Sequence, residues 1–290
     1  MKRKACKPKW RLLPVVAFAF VSLSCFEMVW ESVGPTSALA EGNLSLRGVK
    51  GEGVPKDYKE ALNWYRESAH HGYALSQFVL GLVYAKGKGV FPDYEEAAKW
   101  YLKAGEQGDA DAQNNLGLMY ADGRGVTRDC RKAANWFRKA AEQGNADAQN
   151  SLGWMYANGE GVPQDYKEAQ KWLARSAEQG DGIAQFTLGM MYANGRGVVQ
   201  DHKEALRWYR KAAEQGNADA QNMLGRMYTN GDGVTQDLVK AYAWHNVSSA
   251  NGDLYAVNFR DEVAKTITPD QLDEAMKLSR KWFEEYQSKD

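Results

Sequence analysis

The sequence predicts an all-α chain: an α/α solenoid of six 36-residue helix-turn-helix repeats with a C-terminal capping helix. Three regularities carry that expectation. A Gly-x-Gly-Val turn recurs at Gly51, Gly87, Gly123, Gly159, Gly195 and Gly231. A tryptophan follows each turn at one offset, as Trp64, Trp100, Trp136, Trp172, Trp208 and Trp244. A further glycine closes each unit, at Gly72, Gly108, Gly144, Gly180, Gly216 and Gly252. Copies in strict register, without insertions, are what stacked supersecondary units leave in a sequence.

The unit from Gly144 to Gly180 can be read element by element. Asn145 can cap a helix through its side-chain oxygen, with Asp147 well placed in the first turn. Ala148, Leu152, Met155 and Tyr156 recur at helical spacing and form an apolar stripe. Gly159 sits where a left-handed residue ends a helix, and Val162 and Pro163 carry the chain round. Asp165 with Glu168 three residues later reads as a capping box opening a second helix. The same Asp-x-x-Glu occurs as Asp57/Glu60, Asp93/Glu96 and Asp201/Glu204, but not at Asp129 or Asp237. The second helix presents Ala169, Trp172, Leu173 and Ala177 on one side and stops at Gly180. Each unit therefore reads as a helix hairpin.

Small residues suggest how the hairpins pack. Gly81, Gly117, Gly153, Gly189 and Gly225 fall inside the first helices at one repeated place. Glycine in a helix interior costs roughly 0.5–1 kcal/mol against alanine, so five recurrences point to close helix approach. A single hairpin cannot bury its own aromatic residues, so neighbours must share a core.

The pattern Leu-Gly-x-Met-Tyr-Ala-x-Gly-x-Gly-Val, then Asp-Tyr-x-Glu-Ala-x-x-Trp, then Ala-Glu-Gln-Gly-x-Ala-x-Ala-Gln resembles the Sel-1-like repeat, a relative of the tetratricopeptide repeats. The match spans about residues 42 to 266. The resemblance implies a right-handed superhelix and a protein-binding role, and leaves the partner open.

Three segments follow: residues 1–40 as a signal peptide, 41–266 as the solenoid and 267–290 as the capping helix. Lys2, Arg3, Lys4, Lys7, Lys9 and Arg11 precede an apolar run from Leu12 to Phe26, and Ala38 and Ala40 offer small residues at cleavage-site spacing. A periplasmic or secreted location is therefore expected. An uncleaved inner-membrane anchor through residues 12–30 is the alternative. Cleavage would remove Cys6 and Cys25 and leave Cys130, at a tyrosine or histidine position of other copies, as a single thiol that reads as a small hydrophobe. At the other end Thr268, Pro269 and Gln271 form a strong helix start, as family members commonly show. Leu272, Ala275, Met276, Ser279, Trp282, Phe283 and Tyr286 then make a stripe suited to covering the last repeat.

The chain carries 37 basic and 37 acidic residues. Beyond residue 40 the balance is 31 basic against 35 acidic, without the basic footprint of a nucleic-acid binder. The repeated Gly-x-Gly follows a helix rather than a strand, so it does not read as a nucleotide loop. His70, His71, His202 and His245 lack ligand spacing, so no metal and no cofactor is expected. Relatives with β-lactamase-like or cell-wall-related activity suggest a hydrolase as an alternative. That chemistry needs a Ser-x-x-Lys or a Gly-x-Ser-x-Gly, and the sequence has neither, so no enzyme and no catalytic residue is expected.

Variation between copies points to a binding surface instead. On successive first helices one line reads Phe78 and Leu82, Asn114 and Leu118, Asn150 and Trp154, Phe186 and Met190, Asn222 and Arg226. These ten residues are the expected protein-binding positions on a concave face, because Trp, Phe, Met and Arg are enriched at interfaces. The alternative is that the same line packs against the neighbouring hairpin. The expected function is a monomeric, non-enzymatic scaffold that binds a protein or peptide, with no nucleic acid and no membrane contact after signal cleavage. A membrane-tethered assembly scaffold is a further alternative.

Overall fold

The computed structural model describes residues 58–287 apart from Lys88. The expectations for residues 1–40, for Ala38 and Ala40, for an anchor through 12–30 and for the incomplete first unit lie outside the described residues. Among the described residues there are thirteen helices and no strand. They are α1 (Tyr58–His70), α2 (Ala74–Lys86), α3 (Tyr94–Glu106), α4 (Ala110–Asp122), α5 (Cys130–Glu142), α6 (Ala146–Asn158), α7 (Tyr166–Glu178), α8 (Gly182–Asn194), α9 (His202–Ala213), α10 (Ala218–Asn230), α11 (Leu238–Ala250), α12 (Leu254–Ala264) and α13 (Pro269–Gln287). This is the expected α/α solenoid. None of these helices is long and apolar enough to cross a membrane.

The chain divides into two compact units, Met1–Asn145 with Glu160–Val162, and Ala146–Gly159 with Pro163–Asp290. In the first, α1 packs on α2, α2 on α3, α3 on α4 and α4 on α5. In the second, consecutive helices from α6 to α11 pack in the same serial way, and α11 then receives both α12 and α13.

Local chemistry explains the boundaries. Gly159 follows α6 with φ 69°, a left-handed conformation that side chains other than glycine adopt at a cost. Two residues on, a Cβ at Gly161 would collide with the Cys130 carbonyl, so that glycine is required by a close backbone approach. The second helices start where an aspartate accepts backbone N–H bonds: Asp165 from Lys167 and Glu168, Asp201 from Lys203 and Glu204, and Asp93 from Glu96. Asp129 and Asp237 cap as well, although no glutamate follows them. The reciprocal half of the expected capping box is made differently. The Asp165 N–H donates to the Tyr156 carbonyl at 2.9 Å, and Asp93, Asp129, Asp201 and Asp237 donate likewise to Tyr84, Tyr120, Tyr192 and Tyr228. Glu96, Glu168 and Glu204 instead pair with Lys99, Lys171 and Arg207. The aspartate thus ties the two helices of a hairpin together, and the glutamate is dispensable.

The internal glycines mark where those two helices meet. A Cβ built on Gly153 would lie 2.6 Å from Leu173 Cγ. The same construction puts Gly81 on Tyr101, Gly117 on Phe137, Gly189 on Tyr209 and Gly225 on His245. Around these contacts Leu116 in the first unit, and Leu152, Leu188 and Leu224 in the second, are buried.

A buried polar series, not anticipated from the sequence, joins one hairpin to the next. In the first unit Gln77 and Gln113 donate their amides to the Ala69 and Gly105 carbonyls, near the C-termini of α1 and α3. Their own side-chain oxygens accept from Gln107 at 2.7 Å and Gln143 at 2.8 Å. In the second unit Gln185 and Gln221 donate to Ala177 and Ala213, and accept from Gln215 and Asn251. Each buried glutamine thereby gives a helix-end carbonyl a second donor, beside the N–H of the closing glycine three residues on.

The recurring tryptophans do not share one environment. Trp100, Trp208 and Trp244 are buried, Trp136 and Trp172 are half-buried, and Trp64 is 37% exposed. In four of the copies a cation three residues further along the helix covers the ring: Lys103 over Trp100 at 4.1 Å, Lys139 over Trp136 at 4.1 Å, Arg175 over Trp172 at 4.7 Å and Lys211 over Trp208 at 4.4 Å. Trp244 has Val247 at that place and stacks on Trp282 of α13 at 4.3 Å.

At the end of the chain Thr268 and Gln271 close a capping box in both directions. The Thr268 N–H donates to Gln271 Oε1 at 2.9 Å and the Gln271 N–H to Thr268 Oγ1 at 3.3 Å. Ala275 and Ser279 are buried and Asn246 donates to Ser279 Oγ at 3.0 Å, whereas Met276, expected in the apolar stripe, is 46% exposed. Met276 lies just beyond the edge of the face that meets α11. Cys130 is half-buried at the start of α5.

Two substitutions separate these effects. Gly153→Leu drives a side chain into Leu173 and lowers stability by about 1–3 kcal/mol or more, whereas the exposed Asn158→Ala changes it little. Equal urea midpoints for the two variants would show that the helices do not meet there. Gln221→Leu removes one of the two donors to the Ala213 carbonyl, whose other donor is the Gly216 N–H, and takes the acceptor of the Asn251 amide; it costs about 1 kcal/mol, against a negligible change for Gln236→Ala at an exposed turn. Chemical denaturation of both variants measures the difference.

Candidate functional site

The ten expected binding residues lie on α2, α4, α6, α8 and α10, the first helices of successive hairpins. The structure separates them. Phe78 and Leu82 are buried on α2, and the Phe78 ring lies 6.0 Å from that of Tyr101. Phe186 is buried in the same way against Tyr209, at 5.8 Å. Asn114 and Asn222 are also buried, with the Asn222 amide donating to Asp253 Oδ2 at 2.7 Å. These five side chains serve the packing of the hairpins: Phe78, Asn114, Phe186 and Asn222 are first residues of their pairs, and Leu82 is buried one turn beyond Phe78.

The second residues of the other four pairs lie one turn further along and are more open. Leu118 on α4 is half-buried. In the second unit Trp154 on α6 and Met190 on α8 are half-buried, and Arg226 on α10 is exposed. Trp154 rests on the cluster around Leu173 and Leu188, and Met190 on the cluster around Tyr209 and Leu224. Asn158 donates to the Trp154 carbonyl at 2.9 Å and Asn194 to the Met190 carbonyl at 2.7 Å, which holds the helix ends that carry them. Asn150, the neighbour of Trp154, is half-buried.

Arg226 belongs to a local group that the sequence reading passed over. Its guanidinium lies over the Phe259 ring at 5.6 Å, and Phe259 stacks on His245 at 5.5 Å. His245 occupies the place of Phe137 and Tyr209 against the helix glycine, so it is a buried ring rather than a surface residue. Burial pushes its pKa down from the ordinary 6.5 to about 4; the positive charge of Arg226 adds to that, and the carboxylate of Asp253 opposes it. The imidazole is therefore neutral at pH 7. Among the described residues no group of three or more His, Cys, Asp and Glu side chains could hold a metal ion.

Comparison with known proteins fits this geometry. The family model described as Sel1 repeat matches residues 38–73, 74–109, 110–145, 146–181, 182–217 and 218–253. A Sel1 repeat protein of Oxalobacter formigenes is 35% identical, with 80% of this chain and 95% of that one covered and a TM-score of 0.68. A protective antigen of uropathogenic Escherichia coli is 28% identical, covering 86% of this chain and 77% of that one with a TM-score of 0.41. No curated protein matches significantly.

The buried histidine makes stability depend on pH. The unfolded chain takes up the His245 proton near pH 6.5, whereas the folded chain resists it until about 4. Protonation therefore favours unfolding as pH falls through that window, by about 2 kcal/mol at pH 5 relative to pH 7. His245→Phe, which places the ring of Phe137 at the equivalent contact, removes this contribution. Urea midpoints of the two proteins at both pH values check it: the wild-type loss should exceed that of the variant.

Proposed function

The chain belongs to the Sel1 repeat family, and from that premise we propose that it is a non-enzymatic scaffold of the cell envelope or secreted space, binding a protein or peptide on the first-helix face. Sel1 repeat proteins generally act as protein–protein interaction scaffolds. The observation that carries the finer reading is Trp154. A large aromatic stands half-open at a repeat position that holds Leu82, Leu118, Met190 or Arg226 in other copies, so no shared packing pocket dictates it. Met190 and Arg226 occupy the same position on the next two first helices of the second unit. Aromatic, thioether and guanidinium groups are types that concentrate binding energy when a partner desolvates them.

The envelope location rests on the basic, apolar and small-residue order of the first forty residues, ending at Ala38 and Ala40. N-terminal sequencing of protein recovered from cell fractions distinguishes a cleaved signal from an anchor through residues 12–30.

Trp154→Ala should weaken capture of the partner by roughly 30-fold or more, the scale of an aromatic hot spot of about 2 kcal/mol. Its thermal midpoint should stay well above that of Trp208→Ala, which empties a closed site and costs about 3–5 kcal/mol. The partner is obtained by pull-down on the wild-type protein, and the dissociation constant and the melting temperature are then measured for each variant. If Trp154→Ala melts as early as Trp208→Ala, the residue is core and the proposed face loses its principal member.

A further inference from the structure

The second-helix side of the second unit carries a surface of a different kind. On α9, Lys203, Leu206, Arg207, Arg210, Lys211 and Glu214 line a depression of about 330 Å³. Their spacing of three, four, seven, eight and eleven residues from Lys203 sets them along one face of the helix. All four cations are exposed and Leu206 is half-buried between them. Three of the four have partners of their own. Arg207 meets Glu204 at 3.2 Å, Lys211 lies over the Trp208 ring, and Arg210 donates to the Tyr228 hydroxyl at 3.0 Å. Glu214 is the one carboxylate lining the depression.

The next hairpin shows what such a face accepts. The residues of α11 that correspond to Lys203, Leu206, Arg207, Arg210 and Lys211 are Val239, Tyr242, Ala243, Asn246 and Val247. Tyr242, Ala243 and Val247 are buried there, and α13 lies against α11, with Ser279 accepting from Asn246 and Trp282 stacked on Trp244. That docked element is an amphipathic helix carrying five acidic residues, Asp270, Asp273, Glu274, Glu284 and Glu285, against three basic ones. On α9 the covered apolar positions are replaced by exposed cations around one leucine, with Tyr286 of α13 near the Arg210 and Glu214 end of the face.

We propose that the α9 face is a docking site for an acidic amphipathic helix of a partner protein, seated as α13 is seated on α11. An apolar side chain of the partner packs on Leu206 while its carboxylates meet Lys203, Arg207, Arg210 and Lys211. This surface is distinct from the first-helix face around Trp154. A polypeptide fits better than a polyanion, because the chain as a whole carries 37 basic and 37 acidic residues and has no long-range positive field to gather nucleic acid.

The test uses a fluorescein-labelled amphipathic peptide with glutamates on its polar face, and a control in which glutamine replaces each glutamate. Fluorescence anisotropy on the full chain should show binding of the acidic peptide, at least about tenfold weaker binding of the control, and weakening as salt is raised about tenfold. Lys203→Glu with Arg207→Glu should reduce binding at least tenfold at an unchanged melting temperature, since both side chains are exposed. Trp154→Ala should leave this binding unchanged, which separates the site from the first-helix face. Failure of the acidic peptide to bind, equal binding to the doubly substituted protein, or tighter binding of duplex RNA or anionic vesicles than of the peptide would each overturn the proposal.

Discussion

In the five hairpins from α2–α3 to α10–α11 the two helices come together where a glycine on the first helix receives a side chain of the second. The Gly153 to Leu173 contact has no room for a methyl group, and the same is true of Gly117 with Phe137 and Gly189 with Tyr209. The rest of the unit follows from that approach. The helices lie close enough for the capping aspartate to donate its N–H to the tyrosine carbonyl across the turn. The apolar residues one turn away, such as Leu152 and Ala169, are closed off from water by the same proximity. The contact also tolerates variation, because tyrosine, phenylalanine, leucine and histidine all serve as the second partner. It demands only a missing Cβ on one side and a side chain broad enough to fill the space on the other.

Joining one hairpin to the next is a separate problem with a polar solution. Helix ends leave carbonyls without donors, and stacking buries some of them. The N–H of the closing glycine reaches one such carbonyl, as Gly180 does Ala177, and a glutamine on the following first helix adds a second donor, as Gln185 does, itself held by Gln215 from the next turn. Because an unmatched buried carbonyl or amide is expensive, this arrangement specifies the stacking register more sharply than apolar packing would. It also leaves the outer faces of the helices free to vary without disturbing the fold.

That freedom is where function can reside. The first-helix positions occupied by Trp154, Met190 and Arg226, and the α9 face around Leu206, differ from copy to copy while the glycine and glutamine positions persist. In a repeat protein each hairpin contacts only its neighbours, so outward positions carry no obligation to the core. The end of the array illustrates the limit: α13 occupies a face of α11 that is apolar, and Trp244 exchanges the usual covering cation for two stacked rings, Trp282 and Tyr286.

The period, the helix boundaries and the close approach at the internal glycines were all legible in the sequence, because each is a local consequence of residue type. Glycine at φ 69° ends α6, aspartate caps α7, and a recurring helix glycine has no local rationale except contact. Direction was not legible. Phe78, Leu82, Phe186, Asn114 and Asn222 share a helical line with Trp154, yet their side chains are buried because the line sits at the edge of the hairpin contact, where a rotation of less than one turn separates core from solvent. Likewise the place of His245, its ring against Gly225, follows from the packing of α10 on α11 and from no local spacing. The glutamine pairs, thirty residues apart, and the covering of α11 by α13 belong to tertiary structure alone, since they join groups whose proximity no local spacing encodes.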